Sequence, residues 1–137
     1  METSVNNSTR SGRRIAAFVI SLLIAVPVLA HHANSAYDRE RTISVTGVVT
    51  RWQFINPHAG IFLNVTDEQG NVTEWAGEFQ SIQDLYRSLG WNKDTFKPGD
   101  EITIFGNPDR REGHPSMWTS LVVMPDGTRV DVRNLPE

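Results

Sequence analysis

Residues 42–66, TISVTGVVTRWQFINPHAGIFLNVT, alternate apolar and polar side chains on both sides of one break, which is the period of a half-buried β-strand. Ile43, Val45 and Val49 share a face, and Gly47 between them reads as a bend or bulge in a strand that continues through Trp52 and Phe54. Asn56-Pro57-His58-Ala59-Gly60 is the break. Pro57 lacks a backbone donor and Gly60 can adopt conformations closed to other residues, so this segment reads as a turn. Ile61, Leu63 and Val65 then restart the alternation. Beyond Asp67-Glu68-Gln69-Gly70, the run NVTEWAGEF puts Thr73, Trp75, Gly77 and Phe79 on one face, completing a hairpin.

Working outward, SIQDLYRSLG places Ile82, Leu85, Tyr86 and Leu89 at helical spacing, a stripe that would cover one face of a sheet. Ser81 and Asp84 resemble an N-terminal cap, with Asp in place of the usual Glu or Gln, and Gly90 supplies the stop. Lys97-Pro98-Gly99-Asp100 is a turn before EITIFG, where Ile102 and Ile104 share a face, and MWTSLVVM and RVDVR around Pro125-Asp126-Gly127 form a last hairpin. About six short strands and one helix specify a mainly β fold. A small closed or partly closed barrel of the oligonucleotide-binding form (OB-like) is the more economical arrangement, because a curled sheet buries one face and protects its edges; a β-sandwich is the alternative. The fold name carries no ligand with it.

The front of the chain is of a different kind. Residues 15–30, IAAFVISLLIAVPVLA, are uncharged and follow Arg10, Arg13 and Arg14, the basic and apolar regions of a secretory signal peptide. Val28-Leu29-Ala30 places the cut after Ala30. Residues 1–30 then form the signal peptide, 31–41 an N-terminal arm (HHANSAYDRER) and 42–137 a single β-rich domain. An uncleaved segment would instead be a membrane anchor, although its 16 residues fall short of the usual span of about 20. The expected location is the periplasm, with no stable membrane insertion after cleavage.

Cleavage removes Glu2 and those three arginines from the 13 basic and 16 acidic residues of the 137-residue chain, leaving a mature domain with a net charge of -5. Such a balance speaks against a nucleic-acid partner, which requires a concentrated positive surface. The absence of cysteine removes disulfides, thiolate catalysis and thiolate metal ligation together. Any metal site must use nitrogen or oxygen donors.

Histidines supply those donors. A mature terminus at His31 would join a free amine to its own imidazole and to that of His32, a combination that suits Cu(II), and His58 in the first turn can complete the set. An amino-terminal histidine of this kind resembles the histidine brace of some exported copper proteins. His114, in Glu112-Gly113-His114-Pro115, reads as a loop residue. Trp52, Trp75, Trp91 and Trp118 form the second candidate, as packing for the barrel or as a surface for an apolar ligand. No serine elbow, phosphate loop or carboxylate pair marks a catalytic site, so no catalytic residue is assigned.

Several segments taken together, His31-His32, VVTRWQFINPHA at 48–59, Trp75 before SIQDLYRSLGW, and FKPGD at 96–100 before EITIFG, resemble a family of small exported bacterial proteins carrying a domain of unknown function. That resemblance covers about residues 31 to 130 and implies a periplasmic protein. The family's paired histidines match His31 and His32, and its Asn-Pro-His-Ala motif matches Asn56, Pro57, His58 and Ala59. The chain departs from the family in having Gly60 where a bulky aromatic is usual, and Asn34 in place of a run into Ser-Phe.

The leading expectation is a periplasmic binding or accessory protein that takes copper through His31, His32 and His58. The alternative is a non-catalytic envelope module whose tryptophan face binds a small apolar ligand or an envelope protein. A copper-dependent oxidative enzyme ranks third.

Overall fold

The alternation at the centre of the chain folds as β1 (Ile43–Gln53) and β2 (Gly60–Thr66), followed by β3 (Val72–Glu78), α1 (Ile82–Leu89), β4 (Glu101–Pro108), β5 (Ser116–Val123) and β6 (Arg129–Asp131). The computed structural model describes residues 36–133 and 135. The signal peptide, its cleavage site, His31 and His32 lie outside the described residues.

Strands β1 to β5 close into a barrel. The antiparallel pairs β1–β2, β2–β3, β1–β4 and β4–β5 leave β3 and β5 as the two ends of the curled sheet, and a short parallel ladder joins them: Ala76 to Ser116, Gly77 to Met117 and Glu78 to Trp118. The five-stranded OB-like barrel is therefore closed, not a sandwich, and β6 extends the sheet from β5. Closure of so small a barrel needs sharp bends, and these come from two bulges. In β1 the inward positions run Val45, Gly47, Val49 and then skip to Trp52, because Thr50 is an extra residue between the pairs Val49–Leu63 and Arg51–Phe62. In β5 they run Met117, Thr119 and then Val122, with Ser120 as the extra residue. Both bulge residues turn a hydroxyl onto an opposing carbonyl, Thr50 Oγ1 to Phe62 O (3.2 Å) and Ser120 Oγ to Phe105 O (3.1 Å). Hydroxyl-bearing residues satisfy the ladder where it breaks.

The expected bulge at Gly47 is thus misplaced by three residues. Gly47 pairs in register with Ile102, and its role is close approach: a Cβ there would lie 2.6 Å from the Asn64 carbonyl oxygen. Gly60 also departs from expectation, since it belongs to β2 and has no positive φ. The turn before it contains a cis Asn56–Pro57 peptide bond.

The interior holds Val49, Ile61, Leu63, Ile102, Ile104, Met117 and Val122, each at most 2% exposed. One end is plugged by aromatic rings. Trp52 meets Phe79, Trp91 and Phe96 edge-on at 5.6, 6.2 and 5.0 Å and donates its Nε1–H to Asn92 O (2.8 Å). Leu85 of α1 joins this cluster, with Ile82 and Leu89 partly buried against it. Tyr86 does not cover the sheet, being 62% exposed, because the helix is short and only the narrow Ile82–Leu85–Leu89 stripe reaches the core. Ser81 caps α1 by accepting the Asp84 N–H, while its hydroxyl donates to the Asp84 carboxylate (2.6 Å), and Gly90 closes the helix in the left-handed region. The shorter acid bonds the cap's hydroxyl, so reciprocal capping through the Ser81 backbone is replaced by this contact.

A Cβ on Gly77, which faces into the barrel at the β3–β5 seam, would lie 2.7 Å from Thr119 Oγ1, 2.9 Å from Ile104 Cδ1 and 3.0 Å from Ile61 Cγ2, whereas one on Gly60 would meet nothing closer than 3.7 Å. Gly77→Ala is expected to lower unfolding free energy by about 1–3 kcal/mol through overpacking, and Gly60→Ala to stay within about 0.5 kcal/mol of the parent. Urea denaturation of the two variants checks this; equal losses would contradict the assignment of which glycine faces the core.

Candidate functional site

Ala59 is locked into the barrel wall: its N–H donates to Gln80 O (3.1 Å) and its carbonyl accepts from Phe79 N–H (2.9 Å), and its side chain is fully buried. Side chains alternate along an extended chain, so His58 faces outward beside Glu78, which directly pairs with Gly60. His58 Nδ1 lies 2.6 Å from Glu78 Oε1, and the Tyr37 hydroxyl donates to Glu78 Oε2. One carboxylate thus holds two side chains from distant parts of the sequence. With Glu78 as a carboxylate accepting at both oxygens, Nδ1 of His58 is the donor in the remaining bond. Nε2 is then left with its lone pair in the neutral ring, and it has no hydrogen-bond partner among the described residues.

Trp118 forms the platform for this cluster. It alternates outward between the buried Met117 and Thr119, with its ring 5.2 Å from that of His58 at 83° and 6.1 Å from that of Tyr37. Tyr37, His58, Gly60, Phe62, Glu78 and Ser116 line a cleft of about 220 Å³. A Cβ on Gly60 would lie 3.7 Å from the Phe62 ring, on the wall of this cleft.

The arm reaches the cleft along its own backbone ladder. Tyr37 bridges to Asp109, Asp38 N–H donates to Pro108 O (2.8 Å), and Arg110 N–H donates to Ala36 O (2.9 Å). Asp109 organises the hairpin end beneath it. Its carboxylate accepts from Arg111 Nε (3.0 Å), Arg111 Nη2 (2.7 Å) and Ser116 Oγ (3.2 Å), and the Arg111 bonds hold its pKa well below the usual carboxylate range. Tyr37 shifts the other way: burial first, then the hydrogen bond to the Glu78 carboxylate, raises its phenol well above the ordinary value of 10.

Of the expected metal ligands, only His58 is described, and the described residues contain no group of three or more histidines and carboxylates placed to hold a metal ion. The four tryptophans do not form one face. Trp91 is buried and Trp52 half-buried in the aromatic plug, Trp118 carries the His58–Tyr37 cluster, and Trp75, partly buried, packs against the core from β3. Together with Thr73, Gly113, His114 and Pro115, Trp75 lines an open groove of about 420 Å³. His114 is an exposed turn residue, its N–H donating to Arg111 O (3.3 Å). Glu78, which from the sequence could face a pocket or serve at a strand edge or helix start, and Tyr37 of the polar arm are both central to the cleft. The signals available were that Glu78 is the outward neighbour of the core residue Phe79, and that Tyr37 is the one aromatic residue in the arm.

Residues 19–117 match the model of a family of unknown function, DUF6152. The chain belongs to that family. The DUF6152 match runs from within the apolar stretch at residues 15–30, across the arm and the His58–Glu78 turn, to Met117 in β5. No curated protein matches the chain. Among the described residues no helix is long and apolar enough to cross a membrane.

The chain has two tyrosines, so in a Tyr86→Phe background Tyr37 is the only one. Its tyrosinate absorbance is expected to appear well above pH 10, and Glu78→Gln should move the transition down by removing the adjacent negative charge. Because the folded value lies above the unfolded one, the phenol's contribution to stability is complete below about pH 10 and is lost as pH rises through the folded value. A midpoint at 10 in both variants would contradict the Tyr37–Glu78 contact.

Proposed function

We propose that this chain is an exported periplasmic binding or accessory protein that holds copper between His58 and an amino terminus created by cleavage after Ala30, with the free amine and imidazoles of His31 and His32 as the other donors. The observation that carries this reading is the shared Glu78 carboxylate. A metal-binding histidine characteristically donates its second ring nitrogen to a carboxylate, which fixes the tautomer and raises the basicity of the ligating nitrogen; His58 has that partner at 2.6 Å. Tyr37, on the other oxygen, anchors the arm five residues after His32. On this reading the His31-His32 pair and the Asn56-Pro57-His58-Ala59 turn, the two motifs of the family resemblance, serve one site.

Protein processed to begin at His31 is expected to bind Cu(II), with quenching of Trp118 emission because that indole lies 5.2 Å from the His58 ring. A His31, His32, His58 triple-alanine variant should lose binding, and Glu78→Gln should weaken it by roughly 10- to 100-fold as an outer-sphere partner. An added residue before His31 should also weaken binding. Equal Cu(II) affinity in the parent and the triple variant would overturn the assignment.

One observation favours a second reading, metal-independent recognition of a small apolar ligand or an envelope protein: the half-buried indole of Trp75 lines the larger groove with Pro115. Trp75→Ala would then abolish binding of an apolar fluorescent probe while leaving copper binding intact. Undiminished probe binding by a folded Trp75→Ala variant would remove this reading.

A further inference from the structure

We infer that the open edge of β3 is a peptide-binding site. An extended segment of a partner, alternating apolar and basic side chains, adds as a strand beside residues 72–75, with its apolar side chains in the Trp75–Pro115 groove and a basic one against Glu74. This inference rests on the second reading above, not on the copper site, and names the ligand class of that groove.

The backbone sets where pairing along β3 stops. Asp67 N–H donates to Asn71 O (2.9 Å) at one end of the β2–β3 hairpin and Phe79 N–H to Ala59 O (2.9 Å) at the other, so by alternation Thr73, Trp75 and Gly77 turn their backbone groups to β2. Val72, Glu74 and Ala76 turn theirs to the opposite edge. Ala76 is satisfied there, its N–H donating to Pro115 O (2.9 Å) where the parallel ladder with β5 begins. One step earlier, that ladder needs an N–H from position 115 for the Glu74 carbonyl, and proline has none. Gly113, at φ 75°, carries the chain away. The N–H and C=O of both Val72 and Glu74 are therefore left without a partner among the described residues. Two donors and two acceptors at two-residue spacing match the backbone of another extended chain.

The surroundings of this edge set what the strand carries. Thr73 and Trp75 face the groove from β3, and Pro115 faces it from the other wall. In an antiparallel strand added here, residues opposite Thr73 and Trp75 share their side of the sheet and enter the groove, whereas residues opposite Val72 and Glu74 exchange backbone bonds with them and lie on the outer side. Charge selects the outer residues. Glu74 is exposed and accepts only a 3.4 Å bond from Thr50 Oγ1, and neither it nor Glu112, beside Gly113, forms an ion pair among the described residues. The arginines of this region are engaged elsewhere, Arg51 over the Phe62 ring (3.8 Å), Arg110 with Asp38 (4.0 Å) and Arg111 with Asp109 (2.7 Å). A basic side chain opposite Glu74 thus gains an opposite-charge pair. A second copy of the chain, pairing β3 with β3 about Thr73, would instead bring two Glu74 carboxylates within reach of each other across the pair, which disfavours self-association.

The test uses the full chain and a terminally blocked Val-Lys-Val-Lys peptide, read by titration and by hydrogen exchange at the Val72 and Glu74 amides. Binding is expected to slow exchange at both. N-methylation of the first lysine, which removes the donor to the Glu74 carbonyl, should weaken binding roughly tenfold, whereas N-methylation of the second valine, whose N–H points away from β3, should change it little. Glu74→Lys, at an exposed position, should shift preference to Val-Glu-Val-Glu. Equal effects of the two methylations, binding without slowed exchange at Val72 and Glu74, or no binding of the peptide overturns strand addition. Exchange at these amides that slows with protein concentration alone gives the edge to a second copy and also overturns it. If Trp75→Ala still loses the apolar fluorescent probe, those results leave the groove standing as a small-ligand site. Undiminished probe binding by folded Trp75→Ala is failure of the second reading itself.

Discussion

Three residue pairs hold the ends of the curled sheet together, Ala76 with Ser116, Gly77 with Met117 and Glu78 with Trp118, and this parallel seam between β3 and β5 is the constraint on which the rest of the structure depends. It closes the curled sheet of β1 to β5 into a barrel, so that these five strands bury one face around a common core. Its inward member, Gly77, lies so near Thr119, Ile104 and Ile61 that no Cβ fits without displacement. Its outward members, Glu78 and Trp118, are the acceptor and the platform of the cleft. The pairing that closes the core therefore also assembles the site.

The two bulges serve the same end. A barrel of five strands bends too sharply for unbroken ladders, and Thr50 and Ser120 absorb the bend while their hydroxyls cover the carbonyls that the break exposes. The bulge at Thr50 moves the inward phase of β1 so that Trp52 enters the aromatic plug. The bulge at Ser120 lies just beyond Thr119, leaving Met117 and Thr119 inside and Trp118 outside, under His58 and Tyr37.

Strand positions were legible in the sequence because burial on one face imposes a period of two: Ile61, Leu63 and Val65, or Ile102 and Ile104, admit little else. The helix was legible from Ser81, Gly90 and the Ile82–Leu85–Leu89 spacing. The bulge at Thr50 was readable only as the change from odd to even positions between Val49 and Trp52, and the eye goes first to Gly47, whose cause is instead a carbonyl oxygen 2.6 Å from its missing Cβ. The site was least legible. His58 stood out as an imidazole in a turn, but its partner Glu78 lies 20 residues after it and that carboxylate's second partner, Tyr37, 41 residues before Glu78, so no local spacing announces the trio. Only the seam and the arm's ladder bring them together. Gly60 sits in the wall of the cleft beside Phe62, a placement that only the barrel reveals.

The account turns on which nitrogen of His58 carries the proton, since a donor at Nδ1 toward Glu78 is what frees Nε2 as a ligand. Two-bond proton–nitrogen correlation of the metal-free protein, at a pH where the ring is neutral, reads that directly. The predicted result is a protonated Nδ1 and a pyridine-like Nε2, reverting to a tautomer mixture in Glu78→Gln. A neutral ring protonated at Nε2, with Nδ1 bare beside the Glu78 carboxylate, would contradict the account.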